Sequence, residues 1–136
     1  MKIKAIFSSI VALCAVSVHS KELLLGNFGH AFTGKESDIV WSIRAKGSIY
    51  EILFHGDNSK ATAQQLSDKA VAKLWKKLDW PEITTAGVVC LGVKEDFFCY
   101  VPQEQRKKIS WIADNKSDYF NYSSMGGVME IHKKKP

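Results

Sequence analysis

Two hydrophobic rhythms divide the chain. Between Asp38 and His55, the residues Ile39, Trp41, Ile43 and Ala45 alternate with Asp38, Val40, Ser42 and Arg44. Beyond Lys46-Gly47, Ser48, Tyr50, Ile52 and Phe54 alternate with Ile49, Glu51, Leu53 and His55. A period of two on both sides of a glycine predicts a β-hairpin. Gly56-Asp57-Asn58-Ser59 has the composition of a loop. The rhythm then changes: Leu66, Ala70, Leu74 and Leu78 recur every fourth position, with Val71 and Trp75 on the adjoining stripe. Lys69, Lys73, Lys76 and Lys77 lie largely off that face. This predicts an amphipathic helix of about four turns with a solvated lysine face. Ser59 or Thr62 is placed to cap its start, and Pro81 prevents it from continuing.

From Ala86 the period of two returns. Val88 to Val93 and Phe97 to Val101 flank Lys94-Glu95-Asp96 and read as a second hairpin. Centring its turn on Lys94-Glu95 sets Cys90 directly opposite Cys99, at a non-hydrogen-bonded site where strand Cα atoms approach most closely. That proximity suits a disulfide. Pro102 to Lys108 is a connecting turn or a single helical turn; Ile109, Trp111 and Ala113 then alternate as a strand. Strands at Tyr119 to Tyr122 and Val128 to His132 are joined by Ser123-Ser124-Met125-Gly126-Gly127. At the other end, Leu23-Leu24-Leu25 reads as a short strand, and the glycines from Gly26 to Gly34 read as turns carrying Phe28 and Phe32 as plugs. The sum is an α+β, mainly β fold: a curled antiparallel sheet of about six to eight short strands built from hairpins, with one amphipathic helix packed on it.

The first twenty residues have a different character. Met1 to Lys4 is short and basic, Ala5 to Val18 is apolar, and Val18-His19-Ser20 offers small residues before Lys21-Glu22. This is the anatomy of a cleavable signal peptide over 1–20. The apolar run is too short to span a bilayer, which takes about 20 residues. Leu13 before Cys14 does not fit lipid attachment, which wants a small residue there. The expected organisation is a signal peptide, one globular domain over 21–132, and a basic disordered tail over 133–136, in a periplasmic or secreted protein.

Export changes how charge and cysteines read. The sequence pI of about 9.1 would suggest nucleic acid. Without Lys2 and Lys4, however, 17 basic residues face 14 acidic ones, and Lys133 to Lys135 account for the surplus of three. The folded body is near neutral, so no nucleic-acid partner is expected. Cys90 and Cys99 are the pair left after cleavage, and an even pair in an exported chain reads as a disulfide.

Motifs for chemistry are weak. Tyr122 to Gly127 only superficially resembles a nucleophile elbow. The histidines His30, His55 and His132 lack zinc-motif spacing, although Glu130 and His132 fall on one strand face. Neither a metal nor another cofactor is expected. The reading is therefore of a non-catalytic binding protein, of inhibitor or immunity type, that occludes an extracytoplasmic protein partner. Its contact surface is placed at Trp80 with Lys76 and Lys77, and at loops expected at one end of the sheet, Gly56 to Ser59 and Ser123 to Gly127, the latter with Ser123, Ser124 and Met125. Two other readings stand beside it. One is a carrier holding a small hydrophobic ligand between sheet and helix, against Trp41, Phe54 and Leu74. The other is an enzyme with a site near His55 and Asp57.

Overall fold

The computed structural model describes residues 22–30 and 38–135. The segment read as a signal peptide, Cys14 and Phe32 lie outside the described residues. Eight strands form a closed antiparallel barrel in which each pairs with its sequence neighbours and β8 returns to β1. They are β1 (Gly26–Gly29), β2 (Trp41–Lys46), β3 (Ile49–Phe54), β4 (Ser59–Gln65), β5 (Val89–Val93), β6 (Asp96–Tyr100), β7 (Tyr119–Ser123) and β8 (Gly127–Lys134). One helix longer than a single turn is present among the described residues, α1 (Asp68–Lys77); α2 (Gln103–Arg106) is one turn, and Glu82–Thr85 is a 3-10 turn.

Closure corrects the expected curled sheet, and β1 is what closes it. The segment read as glycine turns pairs with β2 through Phe28↔Trp41 and with β8 through Phe28↔Lys133. Its glycines permit close approach instead of turning. A Cβ on Gly29 would lie 1.9 Å from the Asp38 carbonyl oxygen, so only glycine lets the returning chain cross there. Leu23 and Leu24, read as strand, lie in a helical turn instead. Leu24 is buried in the core. At the opposite terminus Lys133 and Lys134 are the last rungs of β8, facing Phe28 and Asn27. Lys133 and Lys134, expected in a disordered tail, are therefore strand residues, because closure needs their backbone groups.

The helix is shorter than its periodicity implied. Residues 59–65, assigned to its first turns, form β4, paired to β3 from Phe54↔Ser59 to Tyr50↔Ala63. Inward-facing Ala61 and Ala63 are too small to mark a strand by hydropathy. Ser67, not Ser59 or Thr62, is the cap, its Oγ accepting the Ala70 N–H at 3.2 Å. The Ile109-Trp111-Ala113 strand is likewise absent. That stretch is a run of turns in which Ile109 and Ile112, three apart, are buried while Trp111 is 71% exposed.

The wall of the barrel separates two apolar cores. Inside lie Phe28, Ile43, Ile52, Leu91, Phe98 and Ile131 with Trp41 and Tyr50. Outside, α1 lays Val71, Leu74 and Trp75 on Cys90, Cys99, Phe120 and the turn residues Ile109 and Ile112. Cys90 and Cys99 are register partners and form the disulfide, as the hairpin count predicted. It crosslinks the wall beneath α1. Arg106 of α2 donates to the Val101 carbonyl (3.2 Å) and to the Asp118 carboxylate, latching the β6–β7 connection.

Candidate functional site

Up-and-down order sends alternate connections to the same end of a barrel. The β3–β4, β5–β6 and β7–β8 turns therefore gather at one end, called here the loop end. Each turn is fixed by local chemistry. In the first, the Asp57 carboxylate accepts the Ser59 hydroxyl (2.6 Å) and backbone N–H (3.0 Å). Those bonds hold the Asp57 carboxyl below its ordinary pKa. In the second, Lys94 adopts φ +53° to close the tight hairpin. In the third, Ser123 Oγ accepts the Gly126 N–H at 2.8 Å. This holds the hairpin tip and leaves Met125 99% exposed.

Between these turns lies an open cleft of about 600 Å³. Its apolar surface comes from Phe54, Ala61 and Val93, and its rim carries Lys60 and Lys94 against Glu95 and Asp96. Ser124 stands at its edge, at the foot of the Met125 hairpin. A projecting apolar side chain beside a hollow with a mixed-charge rim can dock a partner surface of matching relief.

The residues expected at a contact surface separate into two groups. Ser123, Ser124 and Met125 are at the loop end. Lys76, Lys77 and Trp80 belong to the exit of α1 on the outer wall. Lys77 reaches towards the first group, with its ammonium 5.2 Å from the centre of the Tyr122 ring, directly before Ser123. Trp80 turns the other way. The Trp80 N–H donates to the Trp75 carbonyl (2.9 Å), the Asp79 N–H donates to Lys76 (3.1 Å), and Asp79 holds φ +58°. This paired pattern at a helix end brings the residue two past the cap against the last turn. The Trp80 ring accordingly meets Trp75 edge-on at 5.1 Å and Phe120 at 5.3 Å. Trp75 itself is fully buried, its indole N–H given to Thr84 Oγ1 at 2.9 Å.

The other two readings meet different geometry. Trp41 and Phe54 belong to the inner core and Leu74 to the outer one, so these three do not line one cavity. His55 and Asp57 are not joined: Asp57 binds Ser59, while His55 Nε2 lies 2.7 Å from Ser42 Oγ. Ser42 gives its proton to Asn27 Oδ1 at 2.6 Å, so the ring nitrogen facing it acts as the donor. That arrangement ties β1, β2 and the end of β3 together on the outer wall. His132 Nε2 and Glu130 Oε1 pair at 2.6 Å on β8. Among the described residues no group of three or more His, Cys, Asp or Glu side chains gathers to hold a metal. No described helix is long and apolar enough to cross a membrane.

The opposite end is partly closed by the N-terminal turn. Tyr119 donates to the Leu23 carbonyl (2.8 Å), and Lys133 Nζ lies 3.5 Å from the same oxygen. Burial, reinforced by Tyr100 and Asp118, pushes the Tyr119 phenol up to about 12. Burial lowers Lys133, against an opposing pull from Glu22.

Of this cleft the sequence singles out the Gly56 to Ser59 loop and Phe54, but not Val93 or the Lys94-Glu95 rim. The available signal was parity: in a meander, every second turn shares an end. The structure thus defines a mainly β protein built on an eight-stranded antiparallel barrel, with one helix on its outer wall and a disulfide beneath it. No protein-family model, curated protein or solved structure matches the chain.

Proposed function

We propose that this is a small extracytoplasmic, non-catalytic binding protein that occludes a protein partner with the loop end of its barrel, as inhibitors and immunity proteins do. The observation that carries the reading is Met125, held 99% exposed at a hairpin tip beside the cleft. A large apolar side chain kept in water by a defined hydrogen bond costs solubility, and methionine is enriched in interfaces. The packed barrel interior supports occlusion over carriage of a ligand within the barrel. The disulfide supports an oxidising compartment, as expected for an exported chain.

The test is capture of partners by the oxidised protein and by its Met125→Asp variant, with bound proteins and small molecules read by mass spectrometry. The reading expects a stoichiometric protein held by the former and lost from the latter, at equal melting temperatures. Equal capture by both would remove the loop end from the interface. A hydrophobic small molecule with no protein would support carriage instead.

A further inference from the structure

A second surface lies on the outer wall, independent of the loop end. Ala70, Lys73, Leu74 and Lys77 share one stripe of α1 and face Phe97 on β6 across a groove of about 370 Å³. That is near the lower limit of ligand pockets, which run from about 300 to 1,000 Å³. Two of its lining residues, Leu66 and Phe97, pack over Gly92, where the wall carries no side chain. A Cβ there would lie 2.9 Å from Leu66 Cδ2 and 3.8 Å from Phe97 Cδ1, so both side chains lean over the bare backbone. The surface they form with Ala70 and Leu74 is hydrocarbon. The charged residues that line it are Lys73 and Lys77, one helical turn apart on α1, whose stems add to the apolar surface and whose exposed ammoniums are the cations nearest to it. Lys77 is steadied by the face of Tyr122, 5.2 Å away.

We propose that this groove binds a free single-chain amphiphile with an anionic head, such as a fatty carboxylate, its chain along Leu66, Ala70 and Phe97 and its head between Lys73 and Lys77. The apolar strip favours a hydrocarbon chain by removing its surface from water. Charge complementarity selects the head: two cations beside a low-dielectric strip attract an anion more strongly than isolated surface lysines do. A cationic head would be repelled by the same pair. A groove of this volume favours one chain over a two-chain lipid.

Dodecanoate, kept below its micelle concentration, is titrated into the oxidised protein and followed through backbone amide shifts. Saturable one-to-one binding is expected, with shifts centred on 66–77 and Phe97. Dodecyltrimethylammonium should bind at least tenfold more weakly. Substituting both lysines, Lys73→Gln with Lys77→Gln, should weaken dodecanoate about tenfold and erase the preference between heads; both side chains are exposed, so the fold is retained. Ala70→Phe should fill the groove and abolish binding at an unchanged melting temperature. Equal affinity for the two heads overturns the proposal, as do shifts mapping elsewhere or full binding by a folded Ala70→Phe variant. So does binding to phosphatidylglycerol vesicles without binding to monomeric dodecanoate, which would identify a bilayer surface as the ligand.

Discussion

Replacing Trp80 with alanine separates packing from recognition. As an exposed corner it would anchor a partner, and its loss would weaken binding at constant stability. The structure makes the opposite forecast. The helix-end hydrogen bonds aim the ring at Trp75 and Phe120, where it makes two edge-on contacts at 5.1 and 5.3 Å. Aromatic pairs of this kind contribute about 0.5–1.5 kcal/mol each beyond area burial. A fully buried Trp→Ala costs about 3–5 kcal/mol. Trp80 is only partly buried, so the expected cost is about 2–3 kcal/mol, below the core range. For a domain of this size that lowers the melting temperature by roughly 10 °C. The assay is thermal and urea unfolding of the oxidised protein, with a double-mutant cycle pairing Trp80→Ala with Phe120→Leu. A coupling of about 0.5–1.5 kcal/mol is expected. A shift below 2 °C with no coupling would refute the packing argument, and lost partner binding at that stability would restore Trp80 as a contact.

Three further perturbations test the same physics. Asp79 holds a left-handed conformation and places a negative charge at the carboxyl end of α1; Asp79→Gly relieves both and should stabilise by about 1 kcal/mol, read as a higher urea midpoint. Replacing Cys90 and Cys99 together with alanine removes a crosslink over nine residues, worth about 2.5 kcal/mol by loop-closure entropy, and should lower the melting temperature accordingly; an unchanged value would show that the bond does not constrain the unfolded chain. The Tyr119 phenol titrates near 12 when folded and at its ordinary 10 when unfolded. Its contribution is therefore complete below pH 10 and is lost as pH rises from 10 through 12. Tyr119→Phe should flatten the alkaline fall in stability, and an identical pH profile would exclude the effect.

The hairpins and disulfide were legible because they are local. In β5 and β6 the turn position alone fixes register, and Cys90 opposite Cys99 follows from counting. Barrel closure was not legible, because β1 carries little hydropathy signal: Gly26-Asn27-Phe28-Gly29 contributes one large apolar residue. Its strand identity comes from tertiary pairing on both edges, and its glycines serve close approach. β4 failed for a related reason. Ser59–Gln65 turns alanines inwards, so the first large apolar residue after the loop is Leu66, whose spacing matches the helix that follows.

Two-sided burial connects these misses with the placement of the candidate surfaces. Strands β3 and β4 bury mainly one face, and there the alternation reads cleanly wherever the inward residues are large. Strands β5 to β7 are covered outside by α1 and its flanking turns, so Val89, Cys90 and Leu91 are all buried in succession. An unbroken apolar run in an antiparallel strand thus reports a second layer. The same reasoning locates Trp80: Phe120 is an outward residue that needs cover, and the chain leaving α1 supplies it. The loop end lies outside both layers. Its turns were each recognisable from composition, yet the cleft between them exists only once eight strands fix which turns share an end. A surface assembled by parity of connections is invisible to any window of sequence. Met125 could be assigned to a turn by its neighbours, but only the tertiary fold sets that turn, through Ser124, at the edge of the cleft formed by Phe54, Val93 and the Lys94-Glu95 rim.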